Sequence, residues 1–308
     1  MQSGGAFLGG AMGLRIQLLG AFRVWARARA LPETAWRRRK AAGLVKLLAL
    51  APGHHLHREQ VLELLWPDLR LEAAGNNLHR TLHVVRRLLE PDLTTGPSAY
   101  LRLSGDIVAV EPAEALQTDV DAFEAAAATA RRAGHPAAYQ AAVALYTGDL
   151  LPQDRYEDWA AGRREALRGL YLAVLLEQAH LHEARREWPP AIAAIEQALA
   201  HEPAHEAAHV RLMRLYALAG RRDQALRQYE QLRTALQRDL DAGPAAGSRQ
   251  LYQDIVGGRF PGEGARVAAQ PLAAGGPHHG RAANGPLGVG RMSREASAPV
   301  PALTCPAP

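Results

Sequence analysis

Hydrophobic positions along the chain fall into distinct regimes. Between Leu14 and Val24 they alternate with polar ones (Leu14, Ile16, Leu18, then Phe22 and Val24) around a glycine-containing bend, which predicts short antiparallel strands. Three runs at helical spacing follow. "RRRKAAGLVKLLALAPG" carries Leu44, Val45, Leu47 and Leu48 on one helix and stops at Pro-Gly. "HREQVLELLWPD" makes a shorter helix closed by Pro67, with Leu62, Leu65 and Trp66 assigned to the core. In "EAAGNNLHRTLHVVRRLLEPD", at about 100° per residue, Leu78, Leu82, Val85 and Leu89 form one narrow apolar stripe. Alternation returns in "SAYLRLSGDIVAVEP", where two runs flank Ser104-Gly105-Asp106 as the arms of a β-hairpin do.

From about Thr118 the pattern is Ala-rich and helical, and it contains a repeat. Ala191 and Ala225, Ile195 and Tyr229, and Leu181 and Leu215 are each separated by 34 residues, the tetratricopeptide period. Each unit predicts two antiparallel helices brought close by the small residues, although Gln178 and His182 stand where bulky apolar residues are expected. The expected fold is therefore mainly α with a small β portion. A winged helix-turn-helix (N-terminal β-sheet, three helices, C-terminal hairpin) occupies residues 14–112, and an all-α tetratricopeptide-like domain occupies 118–257. Residues 1–13 read as a disordered lead-in in which Met12 is a candidate start. Residues 258–308, rich in Gly, Pro, Ala and His without periodicity, read as a disordered tail.

The third helix carries more than its apolar stripe requires. Asn76, Arg80, His83 and Arg87 share the opposite face, and no acid lies between Glu72 and Glu90. A merely solvated face would mix acids with bases. The charge of the whole chain, +5, hides a division of the same kind: residues 14–110 sum to +7 and residues 118–260 to −2. A basic front half points to a polyanion partner. Arg80 and Arg87 are candidates for bidentate contact with guanine and Asn76 for contact with adenine, and Asn77 and Arg86 flank them toward phosphate. His79 and His83 are read as DNA-facing or solvent-exposed. Arg38, in the run Arg37-Arg38-Arg39-Lys40 that opens the first helix, and Arg102, in the hairpin, complete the candidate set.

The same residues resemble a known family. "RRRKAAGLVKLLALAPGHHLHREQVLELLWPD" followed by "AAGNNLHRTLHVVRRLLEPD" is similar to the OmpR-type winged-helix domain at the front of the Streptomyces antibiotic regulatory protein (SARP) family. "TDVDAFEAA" and "ALYTGDLLPQDRYEDWAAGRREALRGLY" resemble the bacterial transcriptional activator domain that follows it there. The more specific residues are Tyr146, the stretch Gly148 to Pro152, Trp159 and Arg163. The resemblance implies a transcriptional activator that binds double-stranded promoter repeats as a homodimer and recruits RNA polymerase. A second reading is a helical-repeat scaffold whose basic front half docks an acidic protein.

Other chemistry is weaker. His201 to His205 and His205 to His209 both satisfy H-E-x-x-H, which on a helix offers two imidazoles to zinc. Pro203 breaks the first match, and a third ligand for the second would have to come from something like Glu230. His79 and His83 share the spacing without the Glu, and "GPLGVGRM" at 285–292 has Arg291 and Met292 where a phosphate-binding loop needs Lys and a hydroxyl. The single Cys305 excludes a disulfide framework within one chain. No apolar run reaches a membrane span. The expectation is a cytoplasmic, non-enzymatic protein without cofactor, metal or membrane partner.

Overall fold

The computed structural model describes residues 13–27, 29–93, 96–111 and 116–260. The expected lead-in and tail, the stretch 285–292 and Cys305 lie outside these residues, apart from residue 13 and residues 258–260. The chain opens with β1 (Leu14–Gln17), β2 (Arg23–Ala26) and β3 (Arg29–Ala30), antiparallel neighbours in that order, with Leu14, Ile16, Val24 and Ala26 turned into the core. A 3-10 turn over Glu33–Trp36 leads to α1 (Arg39–Leu50). Then come β4 (His55–His57), α2 (Arg58–Leu65) and α3 (Leu71–Leu89), followed by the hairpin β5 (Leu101–Ser104) and β6 (Ile107–Val110).

Two strands were not legible as such. The three residues of β4 pair with β6, which makes the hairpin one edge of a three-stranded sheet in the order β4-β6-β5. β7 (Gln117–Thr118) pairs in parallel with β1 and extends the first sheet to β3-β2-β1-β7. Trp66, assigned to the core, is only half-buried and packs against its edge.

The helical part comprises α4 (Asp119–Ala133), α5 (Pro136–Leu145), α6 (Ala161–Ala184), α7 (Trp188–His201), α8 (Glu206–Leu218), α9 (Arg222–Leu240) and α10 (Ala246–Val256). Thr118 caps α4 by accepting from Asp121 N at 3.0 Å, and Gly134 closes it in the left-handed conformation that lacks a Cβ penalty. Successive helices pack as pairs, α4 with α5, α6 with α7 and α8 with α9. Ala191 and Ala225, 34 residues apart, are fully buried in corresponding second helices, where a larger side chain would push the pair open. One apolar cluster runs from β1 through α1, α2 and α3 into Phe123, Tyr146, Leu150 and Tyr171, so the front and helical parts share a core. A second cluster joins α6 to α10 and takes in Phe260 at its edge.

Candidate nucleic-acid interface

The apolar stripe of α3 is buried as its periodicity requires: Leu78, Leu82, Val85 and Leu89 are all closed to solvent. That burial fixes the rotation of the helix and leaves Asn76, His79, Arg80, His83 and Arg87 exposed on the far side, with Asn77 half-buried beside them. Among the described residues, Asn76, Asn77, His79, Arg80 and His83 spend no side-chain donor or acceptor inside the protein. A cavity of about 310 Å³ runs along this face, and Arg38, Arg39, Lys40, Trp66, Asn77 and Arg80 line it. The structure thus brings the start of α1 and the middle of α3, about forty residues apart in sequence, to one groove.

Other candidate residues have structural employment as well. Arg86 Nε donates to Leu101 O at 3.3 Å, which ties α3 to the hairpin, and Arg87 Nη1 reaches Leu93 O at 3.5 Å, the edge of hydrogen-bond range. Glu90, just past α3, accepts from Ala99 N at 3.1 Å and from Ser98 Oγ, which fixes the approach to β5. Arg102 is paired with Glu111 at 2.8 Å on the exposed hairpin. Arg58 N donates to Asp106 O at 2.6 Å and so holds the hairpin turn against the start of α2. Among the described residues Arg38 has no side-chain partner, whereas Lys40 Nζ donates to Leu65 O at 2.5 Å. In the helical part Arg131, Arg163, Arg168 and Arg211 are each paired with a carboxylate, and Arg164 bonds the carbonyls of Leu150 and Asp154.

What sequence reading missed is the clasp that joins the two parts. Asp119 Oδ1 and Oδ2 accept from Leu18 N and Leu19 N, both at 2.8 Å. Burial pushes the Asp119 carboxyl up to about 6, against the pull of those two N–H groups. On the other side of the same segment, Gly20 N donates to Asp149 O at 2.9 Å, Leu151 N to Leu18 O at 2.9 Å, and Thr147 Oγ1 to Leu19 O at 2.9 Å. Gly148 has φ +154°, and a Cβ there would stand 3.0 Å from Gly20 Cα, so the two backbones touch. Tyr146 OH donates to Asp149 Oδ1 at 3.0 Å. Asp149 is partly buried, yet Arg168 and Tyr146 together hold its carboxyl below the usual carboxylate range. Lys46 of α1, nearly buried, adds an ion pair to Asp154 at 2.6 Å. The motif from Tyr146 to Pro152 is therefore a backbone clamp on the bend after β1. Its legible signals were Gly20 and Gly148; the partnership between them was not.

The histidine spacings resolve as local structure. His205 caps α8 by accepting from Ala208 N at 3.1 Å. His209 is buried, with Nε2 at 2.8 Å from Pro203 O and Nδ1 at 2.6 Å from Gln228 Nε2, so both ring nitrogens are engaged. Burial pushes its pKa down, which favours the neutral ring. Among the described residues no three His, Cys, Asp or Glu side chains gather as a metal site, and no helix is long and apolar enough to cross a membrane.

Residues 117–256 match the family model described as the bacterial transcriptional activator domain. No curated protein matches the chain. Among solved structures, Mycobacterium tuberculosis EmbR in complex with a low affinity phosphopeptide is similar, with a TM-score of 0.63 and 20% identity over 80% of this chain. This chain covers 65% of that one, and at such identity the likeness is one of fold.

Proposed function

We propose, from the premise that this chain is a transcriptional regulator of the SARP type whose residues 117–256 belong to the bacterial transcriptional activator domain family, that its winged helix reads promoter DNA. The observation that carries the reading is the uncommitted donor face: among the described residues Asn76, Asn77, Arg80 and His83 on α3 and Arg38 beside it have no internal partners, while Arg131 of α4 and Arg163 and Arg168 of α6 are spent on carboxylates. Such a face gains most from a polyanion, because phosphate contacts supply affinity and base edges supply specificity. α3 would enter the major groove with Asn76, Arg80 and Arg87 toward bases. Asn77, Arg86 and Arg38 would reach phosphates, and Arg102 would follow the backbone from the hairpin. Arg87 and Arg86 would exchange a long internal hydrogen bond for a stronger charge-assisted one.

In this reading residues 14–112 form the DNA-binding domain and residues 118–257 the activator domain. The protein acts in the cytoplasm without catalysis or cofactor, binds repeats as a homodimer and recruits RNA polymerase. The test is fluorescence anisotropy of the full chain on a pool of genomic upstream fragments over a salt series, with Arg80→Ala as the variant. Selected fragments are expected to bind at least ~10³-fold tighter than random duplex. Arg80→Ala is expected to cost ~1–3 kcal/mol of that discrimination. Weak binding, indifferent to sequence and unchanged in the variant, would overturn the reading and favour a scaffold whose basic half docks an acidic protein.

A further inference from the structure

A cavity of about 630 Å³ lies beside the clasp, between α1 and α2 on one side and the segment before α6 on the other. It falls within the size range of small-molecule sites. Four aromatic side chains line it: Phe22 and Trp36 from the front part, packed edge to face at 5.2 Å, and Tyr156 and Trp159 from the helical part. Tyr156 is 89% exposed and among the described residues makes no hydrogen bond or ring contact, an unusual state for a tyrosine.

The polar lining decides what could enter. Its acids are mostly engaged: Asp154 is paired with Lys46 at 2.6 Å, and Glu157 accepts from Trp159 Nε1 at 2.9 Å, which leaves the exposed Glu33 at the edge. Apart from Glu33, the unengaged charged groups are donors. Arg39 has no partner among the described residues, and Lys40 has spent one of its three N–H bonds, on Leu65 O. Trp36 Nε1 is buried with no acceptor, a rare state for an indole. Arg39 and Lys40 also open α1, whose N-terminal end favours negative charge.

We propose that this cavity binds a planar aromatic monoanion, its rings between the aromatic walls and its acidic oxygens on Arg39 and Lys40. A small turn of the Trp36 ring would give its N–H an acceptor. A cationic ligand would find most of the carboxylates already taken, and a neutral one would offer the two cations only weaker, uncharged acceptors.

The test is isothermal titration of the full chain with three isosteres: 2-naphthoate, 2-naphthylmethanol and 2-naphthylmethylammonium. Naphthoate is expected to bind one per chain and at least about tenfold tighter than the other two, the ratio that one charge-assisted hydrogen bond supplies. Arg39→Gln, an exposed position whose folding is checked by circular dichroism, should abolish that preference. Trp36→Phe keeps the wall and removes the N–H, so it should weaken naphthoate more than the alcohol, whose uncharged oxygen is the poorer acceptor. Equal binding of the three probes, no binding, tighter binding of the ammonium, or a preference that survives Arg39→Gln would each overturn the proposal.

Discussion

Asp119 offers a test of the clasp in which the sign matters as much as the size. The carboxyl is held at about 6 instead of its ordinary 3.8, so between those values the folded chain binds a proton that the unfolded chain has released. The contribution of this group to stability is therefore greatest below the lower value and falls as pH rises through the upper one. At about 1.4 kcal/mol per pH unit, the span amounts to about 3 kcal/mol. Asp119→Asn cannot titrate, so urea unfolding of both proteins from about pH 4 to about pH 7 isolates the group, since other titrations cancel in the difference. The wild type should gain about 2 kcal/mol on the variant by about pH 4, most of the full span, because the unfolded carboxyl is only partly protonated there. At neutral pH the variant bears a separate cost: Asn keeps one acceptor for Leu18 N or Leu19 N and turns an amide N–H2 toward the other. An unpaired buried N–H costs about 1–3 kcal/mol. A difference that does not vary with pH, or one that grows in the wild type's favour as pH rises, would refute the reasoning. The second outcome would mean that the two N–H donors outweigh burial.

The remaining predictions concern the same clasp and the buried histidine. Gly148→Ala places a methyl 3.0 Å from Gly20 Cα at a backbone φ of +154°, so thermal and denaturant melts should show a loss of about 2–3 kcal/mol; an unchanged melt would mean that the backbones do not touch. His209 is buried with its pKa pushed down, so stability due to its neutral ring is present above the ordinary value of about 6.5 and is lost as pH falls. The advantage of wild type over His209→Gln should accordingly shrink on acidification, opposite in direction to the Asp119 effect. Because both nitrogens of His209 are engaged and His205 caps a helix, dialysis against EDTA should leave the melting temperature unchanged, and a drop would restore a metal reading.

Local periodicity carried the helices, and long-range pairing carried what escaped. The α3 stripe was legible because the spacing of three and four residues holds from Leu78 to Leu89, and its burial then leaves Asn76, Arg80 and His83 outward without further information. β4 and β7 have three and two residues, too few for alternation to register, and exist only because β6 and β1 supply their partners. Trp36 sits in a one-turn 3-10 segment with no period at all, so neither its edge-to-face contact with Phe22 nor its unpaired indole could be read in advance. The groove shared by Arg38 and Arg80 is likewise a product of tertiary packing between α1 and α3.

The clasp bears on how such a protein could act. A winged helix on a flexible tether would leave its activator domain free to sample many positions around the DNA. Here the bend at Leu18 to Gly20 is gripped from both sides, by Asp119 and by the segment Thr147 to Leu151, while β7 joins the first sheet and Lys46 bonds Asp154. The apolar cluster passes through the same place without a break. Hydrogen bonds at a buried backbone cannot be released one at a time without leaving unpaired donors, so the joint opens together or stays closed. The consequence for the proposed function is geometric: if α3 lies on DNA, residues 117–256 are carried to one position beside it, and the spacing of a bound site would set the position of the helical domain along the DNA. Weakening the joint with Gly148→Ala should therefore impair activation more than DNA affinity, since none of the residues on the α3 face takes part in it.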